Sequence, residues 1–416
     1  MARLAPKKTL WQQVQGRIDY PLVLPVLLLL IIGSVAVYIA TSQDSEQQIP
    51  IVMVQQLFWI LLGILLAFVV MFFNRSFLWR SAPYLYVLGL VLMVLPIFYN
   101  DPALTAATGS RNWIAINGVT LFQPSEFMKI AYILMMARSI LSFQSHEKTD
   151  TISEDWRLIG KLALISLPIV ILLILQKDFG TALVFAAIAS GMIVVSGISW
   201  KIVISVIAFV LTLISGFLLL FIVPGGTNLL HTIGVDTYQI NRFSAWLDPF
   251  KYAQTTTFQQ AQGLIAIGSG GLTGGGFNTT NVFVPVRESD MIITVIAENF
   301  GFIGCAVLLG MYTALIYRMI RITSLSKNLF YTYITTGFIM MLIFHIFENI
   351  GAATGILPLT GIPLPFISQG GSAMVANLIG VGLVLSVSYQ NSVQEEKSAL
   401  SQQQPVARIC AINNGG

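Results

Sequence analysis

The sequence predicts an all-α, polytopic integral membrane protein. Of its 416 residues, 56% are hydrophobic and only 10% are charged, whereas soluble domains carry about 25% charged residues. Several apolar runs are about 20 residues long, which is enough for a helix to cross a bilayer. The Lys and Arg residues are also distributed unevenly between the predicted loops, as is typical of membrane proteins. The two Cys residues offer no disulfide framework.

We predict about ten transmembrane helices. The first apolar run follows several basic residues and has no clear cleavage site after it, so we interpret it as a retained helix rather than a signal peptide. Polar residues interrupt the edges of the fourth and fifth runs. The predicted spans lie near residues 21–40, 51–73, 83–98, 125–142, 158–175, 180–197, 202–223, 290–317, 331–350 and 371–389.

The basic residues predict the orientation of these helices. If the N-terminus is cytoplasmic, most of the 22 Lys and Arg residues fall on the inner side, which indicates an even number of spans with both termini cytoplasmic. We therefore predict a cytoplasmic segment at 1–20, one membrane domain at 21–389 and a disordered cytoplasmic tail at 390–416. We also predict a large extracytoplasmic loop, 224–289, between the seventh and eighth predicted spans. Loops of such length are often functional.

The first polar stretch, RNWIAINGVTLFQPSEFMKI, leads into the fourth predicted helix. Pro124 suits a first helical turn, where Glu126 would meet the positive end of the helix dipole. Glu126 and Lys129 are three residues apart and can pair on one face, either as a structural ion pair or as a pocket wall. Arg111 and Trp113 could hold a phosphate or a sugar, or could anchor the chain at the membrane interface.

The second stretch, LQKDFGTA, forms a short outer turn between the fifth and sixth predicted helices. Asp178 and Thr181 are placed to cap the sixth helix, because a side-chain oxygen there can accept a hydrogen bond from a free backbone N–H. Asp178 is therefore a candidate for a cap or for a polar residue of a cavity.

The third stretch, FQQAQGLIAIGSGGLTGGGFN, combines an amphipathic helix with six glycines between Gly268 and Gly276. Successive glycine amides can form an anion-binding nest, with a flexible hinge as the alternative. The Lys and the Ser or Thr of a P-loop are absent. We predict that the helix lies on or in the outer leaflet, and its Gln262 is a candidate for binding substrate.

The fourth stretch, VPVRESDMIITVIAENF, places charge at the start of the eighth predicted helix and again inside it. Asp290 lies at the start, and Glu298 lies about 12 Å further along the helix. Both could face one cavity. The alternatives are a helix cap for Asp290 and a buried carboxyl that orders the helix bundle for Glu298.

The fifth stretch, FENIGAATGILPLTGIPLPFISQGGSAMVANL, is apolar but is broken by Pro358, Pro363, Pro365 and several glycines. Irregular backbone at membrane depth occurs only where it is buried in protein or lines a wet cavity. We therefore predict a re-entrant segment between the ninth and tenth predicted spans. Glu348 and Ser368 are candidates for polar residues of the cavity or of its supporting structure.

These five stretches, in this order and spacing, resemble the SEDS family (shape, elongation, division and sporulation), which includes RodA and FtsW. The resemblance covers nearly all of the hydrophobic chain, and the RodA branch is the more similar one. It implies a ten-helix peptidoglycan glycosyltransferase that polymerises lipid II at the outer face of the bacterial cytoplasmic membrane, for cell elongation and shape.

The resemblance also implies roles for individual residues. The essential Asp of the family maps onto Asp290, and its paired Glu and Lys map onto Glu126 and Lys129. The family often has His-Thr-Asp-Phe at the acidic site, where this chain reads ESDM, so the Asp is kept. Lys177 stands where the family often has proline, which leaves the role of that turn open.

The implied reaction joins a sugar hydroxyl to the anomeric carbon of a second sugar and expels a lipid pyrophosphate. It needs a base for the hydroxyl proton and cations for the pyrophosphate. We interpret Asp290 as the base or, alternatively, as a ligand for a Mg²⁺ or Mn²⁺ ion that binds the pyrophosphate. Candidates for the pyrophosphate or sugars are Arg111, Trp113, Glu126, Lys129, Arg242, Gln262 and Ser289.

The resemblance further implies partners. They are lipid II, in which undecaprenyl pyrophosphate carries a disaccharide peptide, a class B penicillin-binding protein as transpeptidase, and other proteins of the elongation complex, but no nucleic acid. Three alternatives stay open: a lipid II flippase, a division polymerase of the FtsW type, and a scaffold that only recruits the penicillin-binding protein. The polar stretches lie on the outer side, whereas the site of a carrier should lie near the midplane.

Overall fold

The computed structural model describes residues 15–44, 46–102, 105, 109–116, 119–146, 152–223, 225–232, 237–251 and 258–413. The first half of the chain forms α1 (Tyr20–Asp44), α2 (Ile49–Val70), α3 (Arg75–Phe98), an antiparallel hairpin of β1 (Ile114–Ile116) and β2 (Val119–Phe122), α4 (Pro124–His146), α5 (Ile152–Gln176), α6 (Phe179–Val195) and α7 (Trp200–Ile222). The second half forms three short helices, α8 (Gly226–Thr232), α9 (Thr237–Leu247) and α10 (Phe258–Ser269), and three long ones, α11 (Ile292–Ser324), α12 (Leu329–Ala353) and α13 (Gly371–Asn413).

Eight helices in the described part of the chain are long and apolar enough to cross a membrane, namely α1, α2, α3, α5, α7, α11, α12 and α13. The predicted all-α membrane class is therefore confirmed. α4 and α6 lie at the fourth and sixth predicted spans. α6 has only 17 residues, and α4 carries Glu126, Lys129 and Arg138, so length and composition alone do not identify them as spans. The number of ten spans stays a prediction.

The long helices pack closely through glycine. α13 lies along α2, α4 along α3, α12 along α6 and α11 along α1. A Cβ added at Gly63 of α2 would lie 2.4 Å from the Leu378 side chain, and one at Gly382 of α13 would lie 2.5 Å from the Ala67 carbonyl oxygen. Small residues at such contacts let helices approach closely where lipid supplies no hydrophobic drive for association.

The glycine-rich segment 268–276 packs against a break in α11. At Gly301 the backbone is non-helical, with φ 62° and ψ −158°. The amides of Gly275 and Gly276 donate to the carbonyl oxygens of Glu298 and Asn299, at 2.9 and 3.1 Å. A Cβ at Gly270 would lie only 1.9 Å from the Ala297 carbonyl oxygen. These glycines therefore permit close backbone contact and satisfy carbonyls of a broken helix, so the amides of Gly275 and Gly276 are not available to an anion.

The irregular segment 354–370 joins α12 to α13 through the interior of the bundle. A Cβ at Gly33, near the middle of α1, would lie 2.6 Å from the Phe366 carbonyl oxygen. The Tyr312 hydroxyl of α11 donates to the Pro365 carbonyl oxygen at 2.5 Å. Irregular backbone that reaches the middle of a helix and is covered by protein has the geometry that a re-entrant segment requires.

The other end of the bundle is held by a polar clamp. Arg318 of α11 binds Asp19 through two hydrogen bonds of 2.9 and 2.7 Å, and the Ser388 hydroxyl of α13 donates to Asp19 at 2.7 Å. The clamp ties α11 and α13 to the start of α1. The backbone of α13 is helical from Gly371 to Asn413, and disorder of the tail at 390–416 stays a prediction. Gln, Ala and Glu are frequent there and favour helix even without apolar periodicity.

Candidate active site

A polar cavity of about 270 Å³ lies at the end of the bundle where α4, α6, α11 and α13 begin and α12 ends. It brings together seven of the residues selected from the sequence: Trp113, Glu126, Lys129, Asp178, Arg242, Ser289 and Asp290. These residues come from five separate parts of the chain, so the cavity exists only in the folded bundle. The hydrophobic positions around them supply the low-dielectric surroundings in which charges act strongly.

Asp290 lies in the loop just before α11, with part of its surface open to the cavity. The Ser289 hydroxyl donates to Asp290 Oδ1 at 2.7 Å. Burial raises the pKa of Asp290 above its usual value, while this hydrogen bond and the charge of Arg242 oppose the rise. A carboxylate with a raised pKa binds a proton more readily, which suits a general base.

The side chains of Asn349 and Ser368 hold the backbone around Asp290. The Asn349 side-chain amide donates to the carbonyl oxygens of both Asp290 and Ile362, each at 2.8 Å. The Ser368 hydroxyl donates to the Ser289 carbonyl oxygen at 2.6 Å. Thus α12 and the irregular segment together hold the acidic loop, and Ser368 acts as a support rather than as part of the cavity wall.

Glu126 and Lys129 form the predicted ion pair on α4. The Lys129 ammonium lies 2.8 Å from the Glu126 carboxylate, and both side chains are almost fully buried. Lys129 Nζ also lies 3.0 Å from His345 Nε2 on α12. The pair is therefore both structural and part of the cavity wall, which unites the two interpretations of the sequence. His345 was missed, although an ionisable residue inside an apolar run is itself a signal.

Asp178 caps α6, as the sequence predicts. Its carboxylate accepts hydrogen bonds from the Thr181 amide at 3.0 Å and the Thr181 hydroxyl at 2.9 Å. It also accepts a bond of 2.6 Å from the Asn112 side chain. Asp178 therefore joins the segment before the hairpin to the start of α6 and lines the cavity at the same time.

Arg242 reaches the cavity from α9, a short helix of the large loop. It is close enough to Asp290 to interact with it electrostatically. A Cβ added at Gly361 would lie 3.3 Å from Asp290 Oδ2 and 3.9 Å from Arg242 Nη2. The indole N–H of Trp246, one turn further along α9, donates to the Gly355 carbonyl oxygen at 3.0 Å and ties the helix to the irregular segment.

Four of the residues selected from the sequence do not line this cavity or support its acidic loop, namely Arg111, Gln262, Glu348 and Glu298. Arg111 is exposed, and its backbone amide donates to the Gln176 carbonyl oxygen at 2.8 Å. Gln262 is half-buried on α10. Glu348 is buried on α12 beside the cavity, where it accepts hydrogen bonds from Thr360.

Glu298 needs a correction. Its carboxylate does not face the cavity with Asp290 but accepts hydrogen bonds from the Asn281 and Val282 amides, at 2.5 and 3.2 Å. The break at Gly301 and the glycine-rich segment bring this loop against the helix. Glu298 is thus the structural carboxyl of the two alternatives, and helical spacing alone could not reveal the loop that covers it.

The described residues contain no group of three or more His, Cys, Asp or Glu side chains that could hold a metal ion. A Mg²⁺ or Mn²⁺ ion in this cavity would therefore be held by few carboxylates together with substrate phosphates, which is how Mg²⁺ commonly binds. The Asp290 carboxylate could be one such ligand. A metal-binding role for Asp290 stays a prediction.

Fold and site together define a multi-pass helical membrane protein with a charged cavity at one end of its bundle. Residues 20–393 match the sequence profile of the FtsW, RodA and SpoVE family, described as cell cycle proteins. The chain belongs to this family.

Relatives from several bacteria match most of the chain. It is 31% identical to the peptidoglycan glycosyltransferase MrdB of Escherichia coli K12, over 92% of this chain and 95% of the relative. It is also 31% identical to a probable peptidoglycan glycosyltransferase FtsW of Lactococcus lactis, over 91% and 94% of the two chains. Stage V sporulation protein E of Bacillus subtilis is 31% identical, over 89% and 96%.

Two solved structures have the same fold. One is a peptidoglycan synthase complex described as coordinating polymerization and crosslinking, and its matching chain aligns with a TM-score of 0.70 at 28% identity, over 90% of this chain and 98% of its own. The other is the rod shape determining protein RodA of Thermus thermophilus, with a TM-score of 0.62 at 28% identity, over 89% and 96%.

Proposed function

We propose that this protein is a peptidoglycan glycosyltransferase that polymerises lipid II into glycan strands for cell elongation and shape. The observation that carries the proposal is the cavity in which Asp290, Arg242 and the Glu126–Lys129 pair meet. Membership of a family whose relatives are named peptidoglycan glycosyltransferases supports it.

In the proposed reaction, Asp290 removes the proton of the acceptor sugar hydroxyl. The hydroxyl oxygen then bonds to the anomeric carbon of the donor sugar, and the bond between that carbon and the pyrophosphate oxygen breaks. The released pyrophosphate carries negative charge, which Arg242 and Lys129 are placed to stabilise. In the alternative, Asp290 would hold a Mg²⁺ or Mn²⁺ ion instead of taking the proton, and that ion would supply positive charge at the pyrophosphate.

We infer that the cavity faces outward. It lies at the same end as the large loop with α9 and α10, whereas Arg17, Arg318 and Lys327 lie towards the opposite end, where basic residues favour the cytoplasm. The sugar heads of a lipid-linked substrate lie at the membrane surface, so a cavity at the end of the bundle can reach them. Such a position favours polymerisation over carriage across the bilayer, which needs a site accessible from both faces.

We further propose that a class B penicillin-binding protein is the partner of this chain. The support is its similarity to a chain of a peptidoglycan synthase complex that couples polymerization with crosslinking. A polymerase for elongation fits the similarity to MrdB, while an FtsW-type division role is the alternative.

Purified protein in detergent, supplied with lipid II, tests the function directly. Detergent micelles have no two leaflets, so the appearance of glycan chains would identify a polymerase rather than a flippase. The protein should be assayed both alone and after co-purification with its penicillin-binding partner. If neither preparation forms chains while both bind lipid II, the proposed activity is wrong.

A further inference from the structure

His345 is a buried polar residue to which the proposed mechanism assigns no task. It lies on α12, a helix apolar enough to cross a membrane, and is 3% exposed. It nevertheless lines the same cavity as Lys129 and Asp290. An ionisable residue inside an apolar helix is costly, and it is by default a candidate for function.

The contact between His345 and Lys129 fixes the position of the proton on the imidazole ring. Lys129 Nζ lies 2.8 Å from the Glu126 carboxylate, which keeps Lys129 an ammonium, and 3.0 Å from His345 Nε2. An ammonium only donates hydrogen bonds, so Nε2 accepts through its lone pair. The ring is therefore neutral and carries its proton on Nδ1.

Packing does not explain a histidine at this position. His345 Nδ1 is buried and has no hydrogen-bond partner among the described residues, and an unsatisfied buried donor is unfavourable. An apolar side chain of similar size would fill the same space without this cost. The atom that makes a favourable polar contact is Nε2, the acceptor for Lys129.

Two acceptors on different helices hold the Lys129 ammonium. Glu126 lies three residues earlier on α4, whereas His345 approaches from α12. An ammonium has three N–H donors, and these contacts direct two of them. The third is left for the cavity that Lys129 lines. Because the stem of a lysine is flexible and its donors rotate, one acceptor alone would not fix that direction.

We propose that His345 is a positioning residue for Lys129. This inference rests on the proposed function, in which Lys129 stabilises the leaving pyrophosphate. The neutral Nε2 holds the ammonium without adding a second negative charge, which would repel the pyrophosphate. Because donors that are fixed before the reaction stabilise a transition state best, the contact favours expulsion of the pyrophosphate.

Two unbranched side chains of similar length test the role of Nε2. In His345→Gln the amide oxygen can accept from Lys129, whereas His345→Met offers only a weakly accepting thioether. His345→Met should lower kcat for lipid II polymerisation about tenfold to a hundredfold, as expected for loss of a hydrogen bond to a charged group. KM should change little, because the leaving-group charge develops in the transition state.

His345→Gln should recover most of this loss, and the two variants should have similar Tm values. Equal kcat in the two variants, or a loss confined to KM, would overturn the inference. Either result would show that an acceptor for Lys129 at this position does not support the chemical step.

The protonated ring nitrogen provides a test that does not depend on activity. ¹⁵N NMR of the protein in detergent, with His345→Gln identifying the signal among the three histidines, should show a neutral ring protonated on Nδ1. In the double variant Glu126→Gln, Lys129→Met the donor to Nε2 is gone, so the preference for Nδ1 should be lost.

A wild-type ring protonated on Nε2, or an unchanged preference for Nδ1 in the double variant, would contradict the role of His345. Failure of the wild type to polymerise while Nδ1 carries the proton would instead contradict the proposed function. The two failures are therefore distinguishable.

Discussion

Asp290 combines a partly buried position with two neighbours that favour its charged form. Burial raises its pKa, and the Ser289 hydroxyl and the Arg242 charge lower it. The balance decides the pH at which the carboxylate can accept a proton. Single residues next to Asp290 should therefore change the pH dependence of the reaction, even when they do not touch the substrate.

Ser289→Ala tests this balance. The substitution removes the 2.7 Å hydrogen bond to Asp290 Oδ1, so the pKa of Asp290 should rise further. Because the base must be deprotonated, activity is lost as the pH falls through this pKa. The acid limb of kcat/KM should therefore move to higher pH in the variant. A pH profile that shifts the other way, or not at all, would exclude Asp290 as the group responsible for that limb.

Lys129 and Glu126 form a second pair whose members depend on each other. Lys129→Met should destabilise the protein by about 3–5 kcal/mol, because it leaves the Glu126 carboxylate buried without its cation. Unfolding in detergent measures the loss. Adding Glu126→Gln should restore most of the stability but not polymerisation, since both polar groups leave the cavity wall. A loss below about 1 kcal/mol in the single variant would show that the pair is not effectively buried.

At the scale of elements, α11 depends on the glycine-rich segment that covers its break. Gly270→Ala would place a Cβ 1.9 Å from the Ala297 carbonyl oxygen. The backbone must then move, and a destabilisation of about 1–3 kcal/mol is expected. Gly268→Ala is the matched control, because nothing beyond its chain neighbours and the backbone of its own helix lies within 4 Å of its added Cβ. Equal thermal stability of the two variants would contradict the proposed packing role of the segment.

The irregular segment 354–370 is the element that connects the fold to the chemistry. Its residues reach the middle of α1, support Ser289 through Ser368, bind Glu348 through Thr360, and lie beside Asp290 and Arg242 at Gly361. A straight helix could not make all of these contacts. The prolines and glycines that break the apolar pattern are therefore what allows this segment to help build the site.

At the scale of the whole molecule, the sequence predicts local features much better than distant contacts. Hydrophobic runs locate the long helices, because burial in lipid demands a fixed length. The Glu126–Lys129 pair and the Asp178 cap follow from spacings of three residues. By contrast, the Glu298 contact with Asn281 and Val282 requires a loop to fold back over a broken helix. Helical periodicity carries no information on such a contact.

The same limit explains which site residues were missed. His345 and Asn349 lie in an apolar helix whose composition does not reveal which side faces α4 or the acidic loop. Arg111, by contrast, belongs to a polar stretch and was selected, yet it is exposed outside the cavity. Charge and motif identify the stretches that build the site, but only packing decides which side chains within them meet.

The central claim is that the Asp290 carboxylate performs the chemistry in the cavity. It is tested most directly by comparing single-turnover glycan formation from lipid II by the wild type and by Asp290→Asn. The variant should lose about 10²–10⁴-fold in rate, the usual contribution of a general base, with its Tm and its binding of lipid II unchanged. Asp248→Asn, on the exposed loop outside the cavity, should keep the wild-type rate. Wild-type polymerisation by Asp290→Asn would contradict the claim.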